Sequence, residues 1–210
     1  TALGHVLQNA GATTTTSALS ITGSNAIVEW VVVELRTTAN PSAVHSAKAA
    51  LLQRDGDIVE KDGIGSLRIP APVGSYYVSV RHRNHLGVMT ASPVPLSSTP
   101  IEVDFRSAGT IIYGSEARKS LTGTFPAEAL WAGDVNANSE MKYTGPGNDR
   151  DLILSKIGGV VPTNTVTGYF PEDVNLSGVV QYTGPGNDRD IILENIGGVV
   201  PTNTRIEQLP

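Results

Sequence analysis

The sequence predicts a mainly β protein, an antiparallel β-sandwich followed by a small region in which one loop and short helix occur twice. Two observations carry this. From Ala26 onward, β-branched and aromatic runs are separated by Gly, Pro and Asp turns roughly every 8–12 residues, with no helical period. Residues 134–165 then return at 173–204, 39 positions on, with 23 of 32 identical. At 210 residues, 40% of them apolar, the chain is long enough to bury a substantial core.

Residues 1–25 are rich in Ala, Thr, Ser and Gly and read as an N-terminal arm. Residues 26–107 form the predicted sandwich. Its most secure strand is Val28–Thr37, a run of valines between Glu, Trp and Leu. Ala47–Arg54 and Ile58–Glu60 flank Asp55-Gly56, a hairpin turn signal. Further strands are expected at Ser66–Ile69, Tyr76–Arg83, Gly87–Thr90 and Ile101–Phe105. Alternation places Tyr76, Val78, Val80 and His82 on the core face, and Tyr77, Ser79, Arg81 and Arg83 on the other. Residues 108–130 are a connector of little periodicity, and 131–210 hold the repeats. Asp149–Ile157 and Asp188–Ile196 are short helices. Asn148 or Asn187 caps each start, and Gly158-Gly159 or Gly197-Gly198 followed by Val-Val-Pro ends each.

Residues 1–130 balance ten acids with ten bases, whereas 131–210 carry ten acids and five bases, so the whole formal charge of −5 lies in the repeat region. No basic footprint for nucleic acid is present, and no apolar run is long enough to span a membrane. With no cysteine, disulfides and thiolate metal sites are excluded. The chain begins at Thr1 rather than Met, as after removal of a secretion signal, which predicts an extracellular or cell-surface location.

The repeat carries the chemistry. Calcium takes about six to eight oxygen ligands and tolerates irregular geometry. A loop with side-chain oxygens at its first, third and fifth positions, a main-chain carbonyl at the seventh and a late carboxylate meets that need. In the first copy these are Asp134, Asn136, Asn138, the Glu140 carbonyl, and Asp151 with Asp149 nearby. In the second they are Asp173, Asn175, Ser177, the Val179 carbonyl, and Asp190 with Asp188 nearby. Gly178 occupies the sixth position, where a sharp turn is wanted, and Ser139 replaces it in the first copy. A single copy would read as ordinary turn and cap residues. Retention of the same oxygens in two copies points to two calcium sites, and two divalent ions would offset nearly all the net charge. With Asn138 and Ser177 in place of acids, the sites suit millimolar extracellular calcium.

Asp-Val-Asn-x-x-Gly-Val-Val, followed by Asp-Leu-Ile-Leu, resembles the duplicated calcium loop and helix of dockerin modules over about 75 residues. The Tyr-Thr-Gly-Pro-Gly-Asn insert departs from that pattern. The resemblance favours Asp151 and Asp190 as the closing acids, since each directly precedes the Leu/Ile-Ile-Leu helix. Trp30-Val-Val-Val-Glu-Leu-Arg, Ala49-Ala-Leu-Leu-Gln-Arg-Asp-Gly-Asp-Ile-Val, Tyr76-Tyr-Val-Ser-Val-Arg-His-Arg-Asn-His-Leu-Gly-Val-Met and Gln208-Leu-Pro resemble the C-terminal region of secreted, hemagglutinin-like surface proteins of Bacteroidetes-type bacteria. That resemblance implies an exported protein. The Gly74-Ser-Tyr-Tyr-Val-Ser-Val strand after a Pro-rich turn resembles transthyretin-like (prealbumin-like) sandwiches, a matter of topology alone.

No catalytic triad order, Gly-x-Ser-x-Gly, His-Glu-x-x-His or phosphate-binding Gly loop is present, which argues against an enzyme. Asp149 and Asp151 imitate a glycosidase pair but sit in the duplicated loop. His82 and His85 are the one close histidine pair, and on a straight strand they would point to opposite faces. Arg81 and Arg83 share a face with Tyr77 and suit solvent, an anionic glycan or a neighbouring subunit. The weak arm and β edges open to strand addition predict a structural subunit that forms a homo-oligomer or polymer. A cell-surface adhesin that binds a glycan or a surface protein is the second expectation.

Overall fold

The computed structural model describes residues 12–210, so the first eleven residues of the expected arm lie outside the described residues. The rest of the arm forms α1 (Thr16–Leu19), whose cap Thr15 accepts a hydrogen bond from the Ala18 amide, and a short turn of 3-10 helix at Gly23–Asn25. Six strands follow: β1 (Ile27–Arg36), β2 (Val44–Gln53), β3 (Ile58–Val59), β4 (Gly74–His82), β5 (His85–Met89) and β6 (Val94–Leu96). They pair antiparallel in the order β3-β2-β1-β4-β5, and β6 pairs with the first residues of β4. The chain is thus mainly β with antiparallel sheets, and among the described residues this sheet is the only one of more than two strands.

The valine-rich β1 lies between β2 and β4, where β-branched side chains pack on both faces. Val31, Val33 and Leu35 join Ala50, Tyr76, Val78, Val80 and Val88 in one core. That face is covered by β6 and by side chains from irregular segments, among them Leu67, Ile69, Phe105, Ile112 and Leu130. Neither Ser66–Ile69 nor Ile101–Phe105 becomes a strand. Ser66 makes one isolated bridge to Val59. The Asp104 and Phe105 carbonyls are taken by the Thr110 hydroxyl (2.6 Å) and the Arg118 guanidinium (2.8 Å), which leaves them no ladder to join.

The opposite face of the sheet is covered over β4, while at β2 Ala47 stays exposed. Ser79 and Arg83 are buried there. The Arg81 guanidinium donates to both oxygens of Glu207 (3.2 and 2.9 Å), and lies 3.3 Å from Glu34. The C-terminal tail therefore lies on this face: the Gly87 amide also donates to Glu207 (2.6 Å), and a Cβ at Gly87 would come within 2.9 Å of Leu209.

The connector contains a hairpin, β7 (Lys119–Leu121) with β8 (Ala127–Ala129). The repeat region contains β9 (Glu140–Lys142), α2 (Arg150–Lys156), β10 (Thr165–Thr167), β11 (Val179–Gln181), α3 (Asp188–Asn195) and β12 (Thr204–Ile206). Its pairing is reciprocal, because β10 after the first helix pairs with β11 of the second loop, while β12 pairs with β9 of the first. Thr144 likewise donates to the Pro201 carbonyl (2.8 Å) and Thr183 to the Pro162 carbonyl (2.9 Å). Val135, Ile153, Ile157, Val174, Val180 and Ile192 form the shared core between the copies. Full burial of an aliphatic side chain contributes about 1.5–3 kcal/mol, so the two copies hold each other together through this cluster. Among the described residues, no helix is long and apolar enough to cross a membrane.

Candidate metal centre

Each loop winds around its first aspartate. The Asp134 carboxylate accepts hydrogen bonds from the Asn138 amide (3.0 Å) and the Ser139 amide (3.0 Å). Asp173 accepts the equivalent pair, from Ser177 and Gly178, at 2.9 Å each. The third-position side chains turn the same corner: Asn136 accepts from the Asn138 amide (3.0 Å) and Asn175 from the Ser177 amide (2.9 Å). Fifth-position oxygens follow, with Asn138 accepting from the Glu140 amide (2.9 Å) and Ser177 from the Val179 amide (3.3 Å). This winding needs left-handed backbone at the fourth and sixth positions, and both copies adopt it: Ala137 and Ser139 at φ 59° and 69°, Leu176 and Gly178 at 58° and 83°.

The acid that reaches each loop is Asp149 or Asp188, not the expected Asp151 or Asp190. Asp149 accepts from the amides of Val135 (2.8 Å), Asn136 (3.2 Å) and Lys142 (2.8 Å). Asp188 accepts from Val174 (2.7 Å), Asn175 (3.1 Å) and Gln181 (2.7 Å). Asp151 and Asp190 instead turn outward, with side chains 56% and 59% exposed beside Arg150 and Arg189. The reason is helical geometry. Two residues into a helix is about 200° around its axis, so only one acid of each pair can face the loop. The insert folds back on itself and touches the loop: the Asp149 amide donates back to the Lys142 carbonyl (2.9 Å), the loop's Asn136 side chain donates to the Gly147 carbonyl (2.9 Å), and Asn148 donates to the Gly145 carbonyl (2.7 Å) and to Asp151 (2.8 Å). Asn187 makes the same two contacts in the second copy, at 2.7 Å each. As expected, these asparagines also accept from the amide three residues on, Asp151 (2.9 Å) and Asp190 (3.1 Å).

Burial raises the carboxyls held inside the loops. Burial lifts the Asp134 carboxyl to about 7, with the neighbouring Asp149 charge adding to it, although the Ser139 and Asn138 amides pull the other way. Burial lifts Asp149 to about 6, against the pull of its three amides. Asp188 is raised for the same reason, helped by the Asp173 charge. Each loop thus brings two carboxylates into one buried place. Arg83 reaches within 3.8 Å of Asp173.

Among the described residues, no group of three or more His, Cys, Asp or Glu side chains is assembled to hold a metal ion. A cation here would rest on two carboxylates, with amide, hydroxyl and main-chain oxygens completing its shell. That is an oxygen-only set, of the kind hard cations take. An ionised carboxylate has about four acceptor sites, so the three amides on Asp149 and on Asp188 leave capacity for a further partner.

His82 and His85 do come together, with ring centroids 4.3 Å apart, because the chain turns between them and the two residues are paired across β4 and β5. Their neighbours are structural. Arg81 and Arg83 are not offered to a glycan or a second subunit: Arg83 donates to Glu29 (3.0 and 2.9 Å) and to the Phe170 carbonyl, and packs over Tyr169. Asn84, wholly buried in the same turn, is a residue that sequence reasoning passed over; it contacts both loops. Comparison of the chain with protein-family models, with curated proteins and with solved structures finds no match.

Proposed function

We propose that this chain is an extracellular calcium-binding structural protein that assembles into a filament, tube or sheet, with calcium stabilising its C-terminal repeats in a dockerin-like manner. The observation that carries the calcium reading is the duplication of one loop geometry, in which two buried carboxylates converge within a winding of oxygen side chains. Asp134, Asn136, Asn138 and Asp149 would hold one ion with the Glu140 carbonyl. Asp173, Asn175, Ser177 and Asp188 would hold the other with the Val179 carbonyl. The ion supplies positive charge that lets both acids of each loop stay ionised while buried. The sandwich reading of residues 26–107 belongs to the same proposal, with the apolar face of the six-stranded sheet as one half.

Assembly rests on the weak arm and the open β edges that the sequence predicts, and some apolar side chains are also left in solvent at separate places. Phe125 is 86% exposed, and Val160 and Val199, at matching tips of the two repeats, are 84% and 86% exposed. Isothermal titration of chelator-treated protein tests the metal, with two calcium ions per chain and a raised thermal midpoint as the expected result. Absence of both binding heat and thermal shift overturns it. Electron microscopy with and without chelator tests assembly: ordered polymers are expected in calcium, and monodisperse monomers at high concentration overturn it in favour of an adhesin.

A further inference from the structure

The turn between β4 and β5 holds the start of both loops through one residue. The Asn84 main-chain carbonyl accepts from the amides of Gly133 (2.8 Å) and Asp134 (3.1 Å), at the first position of loop one. Its side-chain amide donates to the carbonyls of Pro171 (2.7 Å) and Asp173 (2.8 Å), at the first position of loop two. The side-chain oxygen is fixed in turn by the His85 ring nitrogen (2.8 Å). Asn84 is fully buried, so these bonds do not exchange readily with water. We propose that Asn84 is a positioning residue shared by the two loops, and that through it calcium in one loop raises the affinity of the other. This rests on the calcium reading above.

The physical reason is shared ordering. Fixing the backbone of a loop has a large entropic cost, and an ion that orders the first position of one loop also immobilises the turn that orders the first position of the other. The second ion then meets a loop already in place, which is positive coupling without a change of shape. The grip is also unequal. Loop one is held by main chain and loop two by side chain, so a substitution at Asn84 removes the second hold and leaves the first. A competing route exists in the reciprocal strand pairs, β10 with β11 and β9 with β12. The experiment must separate the two.

Calcium affinity of loop one is measured by titration in the full chain and in Asp188→Asn, each with Asn84 intact and with Asn84→Ala. With Asn84 intact, Asp188→Asn is expected to weaken loop one by about 5-fold or more. With Asn84→Ala that effect should fall to within about 2-fold, the range of independent sites. Persistence of the full effect overturns the proposal and assigns coupling to the strand pairs. Wild type that binds two ions independently also overturns it, while leaving the calcium reading intact. Wild type that binds none removes that reading and the coupling with it. Hydrogen exchange in calcium-free protein supplies a second measurement: Asn84→Ala should deprotect residues 173–178 and spare 134–139. Equal deprotection of both, or of neither, overturns the unequal grip. Should Asn84→Ala fail to fold, Asn84→Ser, whose single hydroxyl proton cannot serve both the Pro171 and Asp173 carbonyls, should reduce the effect of Asp188→Asn on loop one, and an undiminished effect overturns the proposal.

Discussion

Asp149 and Asp151 are two positions apart, equally acidic, and different in what surrounds them. One is buried under three amides, and the other is an exposed partner of Arg150. Asp149→Asn should therefore abolish calcium-linked stabilisation of the first repeat, whereas Asp151→Asn should change stability by no more than about 0.5 kcal/mol. Thermal melts of both variants, with calcium and with chelator, check this contrast. Residue types and spacing narrowed the closing acid to two candidates. They could not choose between them, because the choice depends on where the insert ends and the helix begins.

Glu29 is a second case. Burial acts to raise its carboxyl, but the His82 imidazole 3.4 Å away, the charge of Arg83 and the Tyr169 hydroxyl outweigh it and hold the group down at about 2. A group depressed in the folded state from 4.5 to about 2 contributes stability that is complete above pH 4.5 and lost as the pH falls through that window. Denaturant melts from pH 6 to pH 2 should show this acid loss in the wild type and a smaller one in Glu29→Gln. Nothing in the Val-Glu-Trp pattern of β1 distinguishes such a glutamate from a solvated one; its partners come from β4 and from Tyr169, 140 positions away.

At the scale of elements, the repeat helices and the long strands were legible from periodicity, caps and turn residues. β1 and β4 start and end within a few residues of expectation. Strand signals failed where other partners take the main chain, as Thr110 and Arg118 do at Asp104 and Phe105, since β propensity reports fit to a pleated surface that neighbours must provide. The C-terminal tail was the least legible element, being seven residues of mixed character. Its Glu207 joins Arg81 of the sheet to loop one, through the Ser139 hydroxyl (3.2 Å) and through its own amide to the Ser139 carbonyl (2.8 Å). Glu207→Ala leaves the Arg81 side chain, 13% exposed, with Glu34 alone and should destabilise the chain by roughly 3 kcal/mol. Urea unfolding checks the magnitude, and hydrogen exchange should show loop one losing protection before loop two.

For the whole molecule, the expected division into sheet and repeats becomes one of contact. The β4 side of the sheet's polar face, which alternation assigned to solvent, is covered by the tail and by the residues around Tyr169 and Asp173. Chelation should consequently be felt in the sheet as well as in the repeats. Near-ultraviolet circular dichroism, which reports on Trp30, Trp131 and the tyrosines, should change on calcium removal, while far-ultraviolet signal from the six-stranded sheet persists. By itself the sequence determined the β class, the duplication, the oxygen positions of the loops and the helix limits. All of these follow from local rules of period, capping and turn chemistry. Only the tertiary structure decided which acid enters each loop, that the two copies exchange strands, and that Asn84, Arg81, Arg83 and Glu207 bind the repeats to the sheet. The contacts that bind the repeats to the sheet join residues tens to more than a hundred positions apart, and hydrogen bonds between such distant groups leave no spacing for a sequence to display.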